Sequence, residues 1–381
     1  MTMKLRIGYV PLTDAALLHV AKAQGFAAAR GLELDLVRET SWANIRDRLA
    51  LGHFDAAHML APAAIASSIG VGQMQTQLVA PVALGLNGNA ITVSRALFDS
   101  LQRSAEGDLA DPRVTAKALA GIARKRKEKG EAALTFGHVF PFSSHHYQLR
   151  LWMRAGGLDP ENDVRLIVTP PPFMVETLRE GHVDGFCVGA PWNSLAVAAG
   201  VGTILHSGTA IVRNCPEKVL AFRAEWVLER PAEASALAHA IGEASQWASE
   251  PSNRTALVVL LASVSEPGVS AETIDQILES QPPEHQAPPR VSAATATGLR
   301  LDPAAIAAHR SHALWLFAQM AAAGQVAYSQ VLAATAAAVY QPILGPAIAG
   351  PIDAPLVFDG PEFTPDDLPS YLKAMGIAPR G

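Results

Sequence analysis

Several side chains in this sequence have the chemistry that a protein needs to hold a small oxyanion. They are an ammonium, an imidazole, an indole and an amide, at Lys218, His145, Trp42 and Asn89. Moving a small anion out of water is unfavourable unless donors on several sides replace its lost hydrogen bonds. A lysine ammonium is a compact point charge, and an indole can donate while its face excludes water. The sequence therefore offers the parts of an oxyanion site, if the fold brings these positions together.

Lys218 and His145 each have a structural alternative that residue type alone leaves open. Lys218 begins a predicted strand, but it could equally be a surface lysine paired with Glu217. His145 follows two serines at a predicted helix start, where unpaired backbone N–H groups attract anions. One histidine of the His145–His146 pair could instead pack in the core, because neighbours on a helix point in different directions. We assign the site-facing role to His145.

Trp42, Asn89 and Gly189 lie at turns between predicted elements. Trp42 follows Ser41, a predicted helix N-cap, and the indole could instead pack between two lobes. Asn89 belongs to an Asn-Gly-Asn segment, which also suits a simple turn. Gly189 follows a predicted strand, where the missing side chain allows an anion to approach the backbone. An ordinary tight turn would use glycine there as well.

Apolar runs alternate with helical patterns through two parts of the chain. The predicted strands cover residues 5–10, 32–37, 54–59, 76–84, 134–139, 164–168, 183–188, 203–206 and 218–223. This alternation predicts parallel sheets that are covered on both faces. Thr13 or Asp14 is predicted to cap the first helix, which runs to Gln24. The charge run at residues 123–130 predicts the solvated face of a helix.

The order of these patterns predicts an α/β, two-lobed clamshell with a helical C-terminal region. Residues 1–89 form the first part of lobe I, residues 90–213 form lobe II, and residues 214–381 return to lobe I and add the helical extension. Ligands of open α/β sheets bind beyond the carboxyl ends of the strands, so the site should lie in the cleft. The crossovers near Asn89 and Asn214 should act as the hinge. The late helices are predicted at residues 231–249, 253–263, 271–279, 303–323 and 328–337, with a Pro-rich loop at 281–290 and a short helix near Leu368.

Composition argues against several classes of function. The chain has 381 residues, 49% of them hydrophobic, and a formal net charge of −5, so it lacks the basic excess of a general nucleic-acid binder. No apolar run has the length needed to cross a bilayer. Cys187 and Cys215 have no metal-like spacing, and we predict two reduced thiols. Because nucleophile-elbow, P-loop, dinucleotide and His-Glu-x-x-His motifs are absent, we do not predict an enzyme.

Several short segments, in the same order along the chain, resemble the nitrate and bicarbonate solute-binding proteins of ABC transporters. They lie at residues 8–14, 41–47, 55–62, 144–146, 191–193 and 216–220. The resemblance implies a periplasmic-binding-protein-like fold of type II and a site for a bare anion, with no cofactor and no metal. It implies that the residues lining this site are Trp42, Asn89, His145, Pro171, Gly189 and Lys218.

The sequence departs from the transporter members of this family at two positions. Asn89 stands where they often have glutamine, and Ala190 stands where they often have glutamate. Asparagine keeps the amide but shortens its reach, and the alanine removes a possible cation ligand. Nitrate or nitrite is therefore favoured over bicarbonate bound with calcium.

The start of the chain suggests where the protein acts. It opens Met-Thr-Met-Lys-Leu-Arg and passes directly into a strand, without the pattern of an export signal, so we expect a cytoplasmic protein with no membrane association. It thus resembles the NasS-type nitrate/nitrite sensors. That likeness implies a protein partner, a NasT-like RNA-binding antiterminator released when the anion binds, and no direct contact with nucleic acid. Two alternatives stay open: the substrate-binding component of a nitrate or bicarbonate ABC transporter, and an enzyme like the thiamin-pyrimidine synthases, whose Cys-rich motif is absent.

Overall fold

The computed structural model describes residues 2–72, 74–279, 298–342 and 354–377. Its strands are β1 (Met3–Tyr9), β2 (Leu32–Arg38), β3 (Ala56–Leu60), β4 (Leu78–Ala83), β5 (Asn89–Ser94), β6 (Thr135–His138), β7 (Arg165–Val168), β8 (Gly185–Gly189), β9 (Gly202–Ser207), β10 (Val212–Arg213), β11 (Lys218–Arg223) and β12 (Leu356–Val357).

Helices cover the faces of the sheets and make up just over half of the C-terminal residues that the structure describes. They are α1 (Ala16–Ala23), α2 (Trp42–Ala50), α3 (Ala61–Ile69), α4 (Arg95–Ser104), α5 (Pro112–Glu128), α6 (Ser144–Ala155), α7 (Met174–Arg179), α8 (Trp192–Ala198), α9 (Gly208–Ile211), α10 (Ala224–Glu229), α11 (Pro231–Ser249), α12 (Arg254–Val264), α13 (Ala271–Leu278), α14 (Arg310–Ala322), α15 (Gln330–Ala338) and α16 (Leu368–Ala374). The predicted loop at 281–290 lies outside the described residues. None of the helices in the described parts of the chain is long and apolar enough to cross a bilayer.

Two five-stranded sheets form the two lobes of a clamshell, as the sequence predicted. Lobe I is built on the sheet with strand order β2-β1-β3-β11-β4, and lobe II on the sheet with order β7-β6-β8-β5-β9. β10 and β12 form a separate antiparallel pair. The sheets thus follow the predicted division of the chain, while the boundaries after residues 89 and 213 stay predictions.

The prediction of parallel sheets was wrong, because each sheet contains one antiparallel strand. β11 runs antiparallel to both β3 and β4, and β5 runs antiparallel to both β8 and β9. β5, which the sequence analysis missed, and β11 follow the two crossovers between the lobes. Each therefore starts at the cleft, whereas β3 and β8 end there. The register shows this directly, since Lys218 pairs with Leu60, the last residue of β3, and Asn89 pairs with Gly189, the last residue of β8.

The two crossovers are joined to each other by hydrogen bonds. Asn87 has a positive φ of 64°, and its side-chain Oδ1 accepts a hydrogen bond of 2.8 Å from the backbone N–H of Cys215. The backbone N–H of Asn87 in turn donates to the carbonyl of Cys215 at 2.9 Å. Asn214, in the second crossover, has a φ of 55°. Asparagine tolerates this left-handed backbone better than most residues, which suits both positions to a tight joint.

Serine caps start the two helices that point at the cleft. The side chain of Ser41 accepts a hydrogen bond from the N–H of Asn44 at the start of α2, as predicted. Ser143 accepts one from the N–H of His146 at the start of α6. Capping fixes where each helix begins. The first residue of α2 is therefore Trp42, directly at the cleft.

The predicted start of the first long helix was wrong. Thr13 and Asp14 lie in a short 3-10 turn, and α1 begins only at Ala16 without a side-chain cap. The carboxylate of Asp14 is directed at a buried lysine instead of a helix N–H. The carboxylate is therefore engaged by Lys218 and does not cap α1.

The helix predicted from residue 303 begins seven residues later, at Arg310. The backbone N–H of Ala305 donates to the carbonyl of Asp302 at 2.9 Å, so this stretch forms a turn before α14. The charge run at the end of α5 is largely exposed, as expected for a solvated helix face.

The C-terminal region of lobe I contacts lobe II away from the sheets. Gln325, between α14 and α15, accepts a hydrogen bond of 2.9 Å from the hydroxyl of Tyr147. Its amide also donates to the carbonyl of Pro141 at 2.7 Å. We call these two bonds the Gln325 bridge. They join the lobes at a point beyond the crossovers.

Candidate anion-binding site

A buried ion cluster lies where the strands of lobe I end. The ammonium Nζ of Lys218 lies 2.8 Å from Oδ2 of Asp14 and 2.5 Å from Oε2 of Glu217. All three residues are buried, with exposures between 1% and 4%. Buried charges are stable only when they are paired and hydrogen-bonded. We refer to Asp14, Glu217 and Lys218 as the ionic cluster.

The two carboxylates of the ionic cluster differ in how readily they take up a proton. Burial alone would raise the pKa of Asp14, but Lys218 and His58 together outweigh burial and hold that pKa well below its ordinary value. Burial raises the pKa of Glu217, and Lys218 offsets this effect only in part. Burial acts to lower the pKa of Lys218, yet its two carboxylate neighbours raise it. The lysine therefore stays charged, and Glu217 is the carboxyl group that protonates first.

Lobe II reaches the ionic cluster through Asn89 and α6. The Asn89 amide donates to Oε1 of Glu217 at 2.7 Å, and Nε2 of His145 lies 3.8 Å from Oε2 of the same carboxylate. Gln148, one turn further along α6, has its Oε1 3.4 Å from the Asn89 amide. Glu217 thus contacts residues of lobe II from its place in lobe I.

Aromatic rings cover the ionic cluster on the side of lobe I. Nζ of Lys218 lies 5.4 Å from the ring centroid of Trp42, which is a cation–π contact. The Trp42 and His58 ring centroids are 5.3 Å apart, and Nε2 of His58 lies 3.0 Å from Oδ1 of Asp14. Burial lowers the pKa of His58 and of His145, so both imidazoles are neutral at neutral pH.

Unsatisfied polar atoms surround the cluster. Within the described parts of the chain, the indole Nε1 of Trp42, both ring nitrogens of His145 and the amide Nε2 of Gln148 have no hydrogen-bond partner. Each such buried group costs about 1–3 kcal/mol, so a native protein rarely keeps several together without a purpose. Indole, imidazole and amide donors beside an ammonium suit a small oxyanion. This donor set requires neither a metal nor a cofactor.

The structure brings most of the predicted site residues together. The residues that meet at the cleft are Trp42, Asn89, His145, Gly189 and Lys218. A Cβ atom at Gly189 would lie 3.6 Å from both Oδ1 of Asn89 and Oδ2 of Asp14, so the glycine borders the cluster. The ring of His146 instead packs 4.6 Å from that of His138 inside lobe II.

Pro171 stands apart from this group. It is buried and opens a 3-10 turn after β7. β7 is an edge strand of its sheet and is separated from β8 by β6. Its contribution to the site stays a prediction.

The sequence analysis missed Asp14, Glu217, His58 and Gln148 as members of the site. Glu217 was considered only as a surface partner of Lys218, and Asp14 only as a cap. The signal that could have identified Glu217 is its place beside the first residue of a largely apolar strand, five of whose six residues are buried, where a surface ion pair is implausible. Gln148 lies one helical turn after Ser144 and so shares its face of α6.

The fold and its cleft define a two-lobed binding protein. The chain superimposes on the periplasmic nitrate-binding protein NrtA of Synechocystis PCC 6803 with a TM-score of 0.81, at 23% identity and over 98% of both chains. A zinc-bound ligand-binding component of an ABC-type import system from Staphylococcus aureus matches with a TM-score of 0.61 at 17% identity, over 85% of this chain and 93% of that one. These likenesses confirm the predicted periplasmic-binding-protein-like fold.

Sequence comparison identifies the family. The profile of the NMT1-like family matches residues 2–262, and the chain belongs to this family. It is 32% identical over 386 residues to the nitrate import ATP-binding protein NrtC of Synechocystis, a match covering 98% of this chain and 55% of that one. It is 34% identical over 259 residues to the nitrate/nitrite binding protein NrtA of Nostoc, covering 66% of this chain and 56% of that one. The chain thus spans about half the length of these curated relatives.

Proposed function

We propose that this protein binds nitrate or nitrite in the cleft between its lobes. The observation that carries the proposal is the buried ammonium of Lys218, which faces imidazole, indole and amide groups from both lobes. A planar monoanion placed there would receive a charged hydrogen bond from lobe I and neutral ones from lobe II. The nitrate and nitrite named for the NrtA relatives have this shape and charge.

Anion binding would favour closure of the clamshell. The donors of Lys218 and Trp42 belong to lobe I, while those of His145 and Gln148 belong to lobe II. An anion can contact both sets only when the lobes are together. It therefore stabilises the closed form by the difference between its affinities for the two forms.

Within this proposal, the protein acts as a cytoplasmic sensor that controls nitrate assimilation genes. Its partner is an RNA-binding antiterminator protein of the NasT type, which binds the open form and is released on closure. Support comes from the resemblance of the sequence motifs to nitrate solute-binding proteins and from a cleft in which ligand contacts depend on the positions of both lobes.

Calorimetric titration with sodium nitrate tests the binding step. Nitrite, bicarbonate and sulfate serve as competitors, and each titration is repeated with calcium and with a chelator. We expect saturable nitrate or nitrite binding that calcium does not affect. If neither nitrate nor nitrite binds under any of these conditions, the proposal is wrong.

A transport role is the second candidate. It is favoured by the relatives, which include the nitrate import protein NrtC and the binding protein NrtA. A pull-down with a purified NasT-type antiterminator, with and without nitrate, separates the two roles. Capture that nitrate reverses supports the sensor. Nitrate binding without any capture supports the binding component of an importer.

A further inference from the structure

Glu217 occupies the position that the proposed function assigns to the anion. Its Oε2 lies 2.5 Å from Nζ of Lys218 and 3.8 Å from Nε2 of His145, while its Oε1 accepts a 2.7 Å hydrogen bond from the amide of Asn89. These are three of the groups expected to hold the ligand. The side chain that contacts all of them is itself a planar monoanion.

The carboxylate of Glu217 and the proposed ligands, nitrite and nitrate, are closely similar in shape. A carboxylate presents two oxygens on one atom, as nitrite does, and nitrate adds a third oxygen in the same plane. An ammonium and an amide that hold the two oxygens of Glu217 can therefore hold two oxygens of either ion with little rearrangement.

The charge balance shows what must change when an anion enters. The ionic cluster holds two carboxylates and one ammonium, and the neighbouring histidines are neutral because burial lowers their pKa. A further anion would set three negative charges against one positive charge in a buried site. Interactions between charges at such distances are strong when water is excluded. One negative charge must therefore be neutralised.

We propose that the carboxylate of Glu217 takes the place of the anion in the free protein. It then holds the donors of the site, and it takes up one proton from solvent for each anion bound. This inference rests on the proposed function. The proton adds to a carboxylate oxygen of Glu217, so the number of charges in the cluster is the same before and after binding. The new O–H group can then donate to the anion.

The surroundings of Glu217 favour it as the proton acceptor. The titratable groups around it are Asp14, Lys218, His145, Cys187, Cys215 and Tyr340. Asp14 is held in its charged form by Lys218, and burial raises the pKa of both thiols and of the phenol, so these groups keep their protonation state at neutral pH. Burial has already raised the pKa of Glu217, and a bound anion raises it further.

Proton uptake makes anion affinity depend on pH in a defined direction. When one proton binds with the ligand, the association constant falls by up to about tenfold for each unit that pH rises. Glu217→Gln resembles the protonated side chain in shape and has no charge. The variant should therefore bind nitrate with an affinity that changes less than about twofold per pH unit.

The experiment is a set of calorimetric titrations with sodium nitrate at about pH 6.5, 7.5 and 8.5, a range over which wild-type affinity should fall by up to about a hundredfold. The matched control is Glu243→Gln, which removes a carboxylate paired at 2.8 Å with Arg30 on the outer side of lobe I. We expect the control to follow the wild type. Glu217→Gln should bind more tightly than the wild type at the highest pH.

A second measurement needs no variant, so it holds even if Glu217→Gln does not fold. Titrating the wild type in imidazole and in Tris buffers, which add no oxyanion and whose heats of ionisation differ, gives the number of protons taken up per nitrate bound. We expect about one proton near neutral pH.

The outcomes separate this inference from the proposed function. Wild-type nitrate binding that is independent of pH and takes up no proton overturns the role of Glu217 and leaves the proposed function in place. Nitrate binding by Glu217→Gln but not by the wild type overturns both, because coupled proton uptake requires that the wild type binds the anion. Binding by neither folded protein overturns both.

Discussion

Replacing Lys218 with methionine tests the ionic cluster directly. Methionine keeps an unbranched side chain of similar length, so packing against Trp42 is largely retained. The change removes the one positive charge between the carboxylates of Asp14 and Glu217, at 2.8 and 2.5 Å. Breaking a buried ion pair in this way typically costs about 3–5 kcal/mol. The loss of a charged hydrogen bond to the anion, about 1.5–3 kcal/mol, should also weaken nitrate binding by about ten- to 150-fold.

The stability loss should depend on pH. In the wild type, Lys218 holds the pKa of Asp14 below its ordinary value, and the resulting stabilisation is lost as pH falls through the acidic range. In Lys218→Met both carboxyl groups are buried without a cation, so their pKa values rise above those of the unfolded chain. The variant therefore loses stability as pH rises. The difference in unfolding free energy between the two proteins should be greatest near neutral pH and smaller near pH 5. For each of the two carboxyl groups it should change by about 1.4 kcal/mol per pH unit.

Urea unfolding at two pH values and nitrate calorimetry measure these effects. Lys4→Met is the matched control, because Lys4 also faces two carboxylates, Glu33 at 4.0 Å and Asp35 at 3.5 Å, but its side chain is 60% exposed. Exposed ion pairs of this kind contribute about 0–1 kcal/mol. The reasoning is refuted if Lys218→Met costs no more stability than Lys4→Met and nitrate still binds as in the wild type.

Three further predictions concern packing, capping and acid stability. Gly8→Ala would place a Cβ atom 2.3 Å from the buried ring of Phe54, and we expect a loss of about 1–3 kcal/mol in urea unfolding; an unchanged midpoint would contradict this packing. Ser41→Ala removes the N-cap of α2 and should cost about 1 kcal/mol by the same assay, with Ser100→Ala as an exposed control. Burial lowers the pKa of His138 to about 4 and that of His206 to about 3. Below pH 6.5 the unfolded chain therefore binds more protons than the folded one. As pH is lowered, the free energy of unfolding should decrease by about 1.4 kcal/mol per pH unit for each histidine. A melting temperature that stays constant down to pH 5 would be inconsistent with neutral buried rings.

Much of the fold could be predicted from local sequence patterns. β11 was predicted as residues 218–223 and α11 as 231–249, each with the bounds found in the structure. A helix start was also predicted at the serines before His145, and α6 begins there. Serine caps and buried apolar runs define such elements without help from the rest of the chain. The crossover strand β5 was missed, because its residues follow an Asn-Gly-Asn turn directly and no loop separates the strand from it.

The site could be predicted only in part. Lys218 and His145 were identified because their residue types suit an anion and because the sequence motifs resemble a known family. Glu217 was not, since a carboxylate beside a lysine is usually a solvated pair. Asp14 was not, since it was interpreted as a helix cap. Their burial depends on contacts between parts of the chain far apart in sequence, such as the 2.7 Å bond between Asn89 and Glu217. Short sequence windows contain no information about such contacts.

The Gln325 bridge has a kinetic consequence. The side chains at the cleft are buried, so an ion can reach them only from a form in which the lobes have separated. Opening breaks the hydrogen bonds of Gln325 to Tyr147 and Pro141 before any ligand contact is made. The rate of nitrate association should therefore level off at high nitrate concentration, at the rate of opening. Gln325→Ala should raise that plateau, because the bridge is one of the contacts that limit how quickly the protein can follow a change in its ligand.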